Sequence, residues 1–186
     1  YVDNEEGAHV TFSSWTRVND NSIPARGKIS GAYVNSAFIK TDALRAGFDE
    51  ALVLDARGHL TEGSAENFFM LKDGVVVTPP VTDDILEGIT RRTLMTLIRD
   101  ELGMDVVERS IDRTEVYLAD EAFFCGTGVQ IAAITRVDHR PLGKGKLGDM
   151  VAELRELYFK VVRGRVARYR SWNTPVFVKE AEPMRA

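Results

Sequence analysis

An α+β fold, one compact unit of mixed strands with helices on its faces, is what this sequence predicts, and three observations predict it. Short β-rich runs bounded by Gly, Asp and Pro are interspersed with longer segments whose apolar residues follow helical spacing. A chain of 186 residues that is 44% hydrophobic can bury one sizeable core. No internal repeat, low-complexity tract or linker divides it.

The elements follow in order. Alternation from His9 to Trp15 predicts a strand, and the turn-rich stretch Asn19 to Pro24 leads to Lys28 at a loop-to-element junction. Val34, Ala37, Phe38, Ala43 and Leu44 have the spacing of a helix over Tyr33 to Ala46, closed by Gly47. Glu50 to Asp55 reads as a strand, and Asn67 to Val77 as a hairpin around Lys72, Asp73 and Gly74. A second amphipathic helix opens at Gly88, Ile89 and Thr90 and uses Leu94, Leu97, Ile98 and Leu102 before Gly103. Strands are expected over Val106 to Ile111, Ala122 to Cys125 and Gln130 to Val137. The last helix runs from about Leu147 to Val162, with Met150, Leu154, Leu157 and Tyr158 inward, and a polar tail follows Trp172.

Composition excludes several classes. With 24 basic and 28 acidic residues the net charge is −4, which is no footprint for nucleic acid. Arg163, Arg165, Arg168 and Arg170 form the densest basic group and read as a solvated or interface face in a helical pattern. The single cysteine, Cys125, forbids an intrachain disulfide and agrees with the reducing cytoplasm. No run is long and apolar enough to suggest a membrane span, and no signal peptide opens the chain. His9, His59 and His139 lie too far apart in sequence for a metal motif, and no G-x-S-x-G is present.

Gly143, Gly145 and Gly148 satisfy G-x-G-x-x-G before a helix, but the turn Asp138 to Pro141 separates them from the preceding strand. No acidic residue ends a second strand downstream, so a dinucleotide site is not expected. The informative residues are elsewhere. Glu62 sits between a strand-like segment and a small-residue loop, where its carboxylate can face a heterocyclic nitrogen. Gly88, Ile89 and Thr90 put backbone N–H groups and a hydroxyl at a helix start, which suits a phosphate. Gly126, Thr127 and Gly128 make a second turn able to approach an anion. Of seven lysines, only Lys28 is flanked by small residues, Gly27, Ser30 and Gly31, that let a bulky ligand approach its backbone. Taken singly, each of these is also what an ordinary cap, turn or surface charge looks like.

Together, the stretch Glu62 to Phe69, Val76 to Pro80 and Leu86 to Arg91 resembles the fold-type IV pyridoxal-phosphate enzymes. That group contains branched-chain and D-amino acid aminotransferases and aminodeoxychorismate lyase. Ser13 to Trp15, Ile23, Pro24, Gly31, Tyr33, Ser36 and Tyr117 to Glu121 are similar to the branched-chain branch in particular. The resemblance implies the large, D-amino acid aminotransferase-like domain of that fold, a mixed β-barrel-like sheet flanked by helices. That domain would occupy residues 1–175 with a tail at 176–186, and the family's N-terminal small domain would lie outside this chain, which begins at Tyr1 just before a strand.

The resemblance also implies roles. Lys28 would form the Schiff base with pyridoxal 5'-phosphate and shuttle a proton at the substrate Cα. Glu62 would keep the pyridine nitrogen protonated, and Tyr33 would hydrogen-bond the phenolic oxygen. Leu86, Gly88, Ile89 and Thr90 would pack the ring and bind the phosphate, joined by Gly126 and Thr127. Thr127 and Gly128 would receive the substrate carboxylate. The activity implied is transamination of L-leucine, isoleucine and valine with 2-oxoglutarate by a cytoplasmic homodimer or higher oligomer. A D-amino acid aminotransferase, an (R)-amine transaminase or aminodeoxychorismate lyase would use the same Lys28 and Glu62, and an inactive cofactor-binding fragment is a further alternative. Gly128, Val129 and Gln130 replace the continuation usual in the family after this threonine, which leaves the preferred substrate open.

Overall fold

The computed structural model describes residues 7–176. Its strands are β1 (Ala8–Thr16), β2 (Glu50–Leu54), β3 (Asn67–Lys72), β4 (Val75–Thr78), β5 (Val106–Glu108), β6 (Glu121–Gly126), β7 (Gln130–Val137) and β8 (Arg140–Pro141). The helices are α1 (Tyr33–Arg45), α2 (Ile89–Asp100), α3 (Arg113–Val116) and α4 (Asp149–Val162), with 3-10 turns at Ser30–Ala32 and Ala167–Trp172.

One mixed sheet runs in the order β2-β1-β7-β6-β3-β4-β5, with β8 paired to β7. β1 is parallel to β2 and β7, β4 is parallel to β5, and the remaining pairs are antiparallel. The hairpin between β3 and β4 turns on Asp73 and Gly74, both at positive φ (50° and 79°), the mirror-image turn that matches strand twist.

The barrel-like expectation is corrected to an open sheet, because among the described residues β2 and β5 are edges. Only isolated bridges, Leu54 with Leu60 and His59 with Asp112, reach across the gap. The reason is local: the chain from Leu60 pairs briefly with β2 through Thr61 N–H to Val53 O (2.8 Å), then folds inward at Glu62 and Gly63. The same departure shortens β5, since Leu60 N–H takes the Ile111 carbonyl (2.8 Å).

Alternation along β3 sends Phe68 to one face and Phe69 to the other, and both are fully buried. Phe68 joins Phe12, Phe124 and Ile134 on the concave side. Phe69 stacks on Phe123 (ring centroids 5.0 Å apart) beneath Leu94, Leu97 and Ile98 of α2 and Met150, Val151 and Leu154 of α4. Burying one such side chain is worth about 1.5–3 kcal/mol, so this layer fixes where α2 begins.

Helix α1 forms as predicted but turns a different face inward. Ser36, Ile39 and Ala43 are buried, whereas Val34 and Phe38 remain more than half exposed (61% and 51%). Its apolar residues make two stripes, and β2 covers only one. The four arginines are exposed but do not share one helix: α4 ends at Val162, Gly164 adopts φ 68°, and Arg168, in the 3-10 turn that follows, reaches back to Asp100 (2.7 Å) and Glu101 (3.0 Å). Short α3 and β8 carry no period long enough to read. Of the tail expected at 176–186, residues 177–186 lie outside the described residues, as does Tyr1 at the start.

Candidate active site

A cavity of about 230 Å³ opens between the loop before α1, the turn after Glu62, the start of α2 and the β6–β7 turn. Lys28, Tyr33, Glu62, Leu86, Gly88, Ile89, Thr90, Gly126 and Thr127 all line it. Four separate stretches of chain thus converge on one space. Gly128 lies one residue beyond that wall and is exposed.

The loop that presents Lys28 is held by its own bonds. Asp84 accepts from Asp20 N–H (2.8 Å), Asp20 accepts from Ala25 N–H (2.7 Å), and Gly27 N–H reaches the Pro24 carbonyl (3.1 Å). Among the described residues nothing pairs with the Lys28 amine, which therefore stands available in the cavity.

Glu62 is buried and uses both oxygens. Oε1 meets an Arg17 guanidinium nitrogen at 2.5 Å, while Oε2 accepts from Asn67 Nδ2 (2.9 Å) and Leu86 N–H (3.3 Å). Burial pushes its pKa up to about 7, outweighing Arg17 and the two hydrogen-bond donors that favour the ionised form. A carboxyl poised near neutrality at a cavity wall can hold a proton shared with a basic heterocycle.

Helix α2 opens on Gly88, whose extended backbone (φ −62°, ψ 136°) offers no side chain to cap the first turn. The glycine is required by packing: a Cβ there would lie 2.2 Å from Asn67 Oδ1. The unpaired N–H groups and the helix dipole make this end an anion site, with Thr90 buried beside it. Arg91, one residue on, is engaged elsewhere, with the Pro79 carbonyl (2.9 Å) and Glu108 (2.7 Å). Cys125 also lines the cavity, but burial raises its thiol pKa strongly, which keeps it protonated and inert.

The glycine-rich run before α4 has a different fate. The Glu121 carboxylate accepts from Met150 N–H (3.1 Å) and Val151 N–H (2.9 Å), filling the position a phosphate would take. A Cβ on Gly143 would lie 2.0 Å from the Asp120 carbonyl oxygen. These glycines tie α4 to β6.

Two residues of the site had no sequence signal of their own. Arg17 follows a strand with nothing to mark it, and its role appears only when the fold brings Glu62 beside it. Asn67 lies within the motif from Glu62 to Phe69, yet its double duty, donating to Glu62 and to the Leu86 carbonyl (2.8 Å), depends on the loop returning from β4.

This fold is that of a known family. The family model described as Amino-transferase class IV matches residues 2–137, and the chain belongs to that family. Within it, the chain is 47% identical over 179 residues to the probable branched-chain-amino-acid aminotransferase of Aquifex aeolicus, covering 96% of this chain and 58% of that protein. It is 44% identical over 172 residues to the branched-chain-amino-acid aminotransferase of Pseudomonas aeruginosa, covering 92% and 55%. It superposes on the branched-chain amino acid aminotransferase of Thermobaculum terrenum in its PLP form with a TM-score of 0.90 at 43% identity, over 92% of this chain and 56% of that one. The chain thus spans a little over half the length of these relatives.

Proposed function

We propose that this chain is the cofactor-holding large domain of a pyridoxal-phosphate-dependent aminotransferase acting on branched-chain L-amino acids and 2-oxoglutarate. The observation that carries the proposal is the convergence of Lys28, Tyr33, Glu62, the start of α2 and Thr127 on one cavity. The donor set fits the cofactor group by group. The open end of α2 suits the phosphate, near-neutral Glu62 suits a pyridine nitrogen, and the unpaired Lys28 amine suits an aldehyde.

Bound there, pyridoxal phosphate supplies an electron-withdrawing ring that makes the α-proton of an attached amino acid removable. The chain's own residues do the rest. Lys28 would hold the cofactor through its amine and would carry the proton from the substrate Cα to the cofactor carbon that bore the aldehyde, the reverse transfer completing the second half-reaction. Glu62 holds the proton on the ring nitrogen, and Arg17 and Asn67 fix its carboxyl in place. Tyr33, at the cavity rim, would donate its O–H to the ring's phenolic oxygen. Gly88, Ile89, Thr90, Gly126 and Thr127 hold the phosphate, while the turn at Thr127 and Gly128 receives the substrate carboxylate.

The same proposal assigns residues 1–175 to this domain and the other wall of the substrate pocket to a further domain and a second subunit. Ile29, Tyr33 and Ile89 line the cavity yet stay 42%, 38% and 67% exposed, so apolar surface at the rim calls for a cover. The cytoplasm is the proposed compartment, supported by the single buried Cys125; no helix among the described residues is long and apolar enough to cross a membrane.

The test is turnover of the holoprotein with L-leucine, L-isoleucine and L-valine, following glutamate formed from 2-oxoglutarate, beside D-alanine and an (R)-amine. Turnover of the L-branched substrates that vanishes in Lys28→Ala is expected. Turnover of D-alanine or the amine alone would move the protein to another branch of the family, and cofactor binding without any turnover would leave a binding fragment.

A further inference from the structure

Behind the turn that carries Glu62 lies a second space of about 360 Å³, lined by Ser36, Lys40, Glu50, Ser64, Ala65 and Glu66 among others. Ser64 and Ala65 line both cavities, so the Gly63–Glu66 turn is the partition between them. The proposed function makes no use of the two buried carboxyls behind that partition, Glu50 (0% exposed) and Glu66 (6%).

Those two carboxyls face one space and receive neighbouring N–H groups of one turn, Ser64 for Glu50 and Ala65 for Glu66. Two buried carboxylates in one space repel each other, and a proton on one of them lets it donate to the other. Its owner follows from the donors present. Glu50 receives Lys40 Nζ (2.8 Å), Ala51 N–H (2.8 Å) and, at longer range, Ser64 N–H (3.4 Å). Glu66 receives only Ala65 N–H (3.0 Å). With the fewer donors, Glu66 is the member placed to carry a proton toward Glu50.

This proton sits where it can hold the turn. Gly63 N–H closes the turn onto the Glu66 carbonyl (2.7 Å), and a Cβ on Gly63 would come within 2.9 Å of Glu66 Oε2, so the Glu66 side chain lies folded over the turn. Glu62 enters the turn and Asn67 leaves it, and they bond to each other across it (2.9 Å).

We propose that Glu66 is a positioning residue: its carboxyl, folded over the Gly63–Glu66 turn beside Glu50, clamps that turn and so holds Glu62 against the cofactor cavity. The idea rests on the function proposed above. The charged and titratable groups facing Glu66 are Lys40 of α1, Glu50 of β2 and Cys125 of β6. Burial first, then the Glu50 charge, push its pKa up to about 7, against Ala65 N–H and Lys40. When Glu66 ionises, two negative charges share the single cation Lys40, the carboxyl no longer donates to Glu50, and the partition loosens.

The experiment is the affinity for pyridoxal phosphate as a function of pH across neutrality, in wild type, Glu66→Gln and Glu50→Gln. Wild-type affinity should fall by about tenfold, the equivalent of one pKa unit. Glu66→Gln supplies an amide that donates to Glu50 and a carbonyl that accepts from Ala65 N–H, so it should keep the acid-side affinity throughout. Glu50→Gln should move the fall to lower pH, because Glu66 then ionises beside Lys40 without a charged neighbour. The same variants, free of cofactor, are followed by thermal unfolding: a carboxyl with a raised folded pKa lowers stability as pH rises from its ordinary value to about 7, and Glu66→Gln should flatten that slope. Wild-type pH dependence surviving in Glu66→Gln would overturn the proposal and leave Glu62 as the titrating group, as would affinity lost in Glu66→Gln at every pH. If wild type bound no cofactor at all, the functional reading would fail, while the cofactor-free slope would still show or refute the shared proton.

Discussion

Helices α2 and α4 lie against the same face of the sheet, and each begins at a glycine in extended conformation, Gly88 and Gly148. Before α4 stands a formal nucleotide fingerprint, before α2 a plain Leu-Glu-Gly. The structure treats the two helix starts differently. Glu121 fills the end of α4 with its own carboxylate, whereas the end of α2 faces a cavity. An anion site is decided by what stands in front of the first turn, and that is a matter of tertiary packing rather than of glycine spacing.

A buried ion pair, Arg17 with Glu62, lines the same cavity as the start of α2, and that is where substitution should act hardest. Arg17→Met leaves the Glu62 carboxylate buried without its cation, a change that costs about 3–5 kcal/mol. The sign with pH follows from the raised pKa. The folded protein already holds a proton on Glu62 below about 7, so wild-type stability is lost as pH rises from 4.5 through that value. Arg17→Met should steepen this loss and carry it to higher pH, with near-normal stability regained in acid, as chemical denaturation at a series of pH values will report.

Gly88→Ala comes next. Its Cβ would drive Asn67 off Glu62, and losing a hydrogen bond to a charged group costs about 1.5–3 kcal/mol. Cofactor affinity should fall by about tenfold to a hundredfold in an absorbance titration. The matching change at the other helix separates the two ends. In Gly148→Ala the new Cβ would lie 2.0 Å from Glu121 Cδ, displacing the capping carboxylate at a cost of about 1–2 kcal/mol. Thermal unfolding should register the loss while cofactor affinity stays at the wild-type value. The smallest effect is expected from Glu121→Gln, which keeps a cap but removes its charge, worth about 0.3–1 kcal/mol and reduced by added salt.

The same contrast marks what sequence could and could not reveal. Period and turn chemistry located the β3–β4 hairpin and the helices, because Asp73, Gly74 and the apolar residues of α2 and α4 act through local geometry. The motif from Glu62 to Arg91 carried the family, and its residues meet at one cavity. Hidden from sequence were the features that need two distant segments. These are Arg17 against Glu62, Glu121 in front of α4, the Glu66–Glu50 pair, and the choice of which α1 stripe faces β2. The open edge between β2 and β5 belongs with them, since it follows from Glu62 and Gly63 folding inward instead of continuing a strand.

The most direct measurement of the central claim is an absorbance titration with pyridoxal phosphate of the wild type, Lys28→Ala, Gly88→Ala and Gly148→Ala. The account predicts a saturable spectral change that disappears in Lys28→Ala, weakens in Gly88→Ala and is untouched in Gly148→Ala. A change that persists without Lys28, or one weakened at Gly148 and not at Gly88, would contradict it.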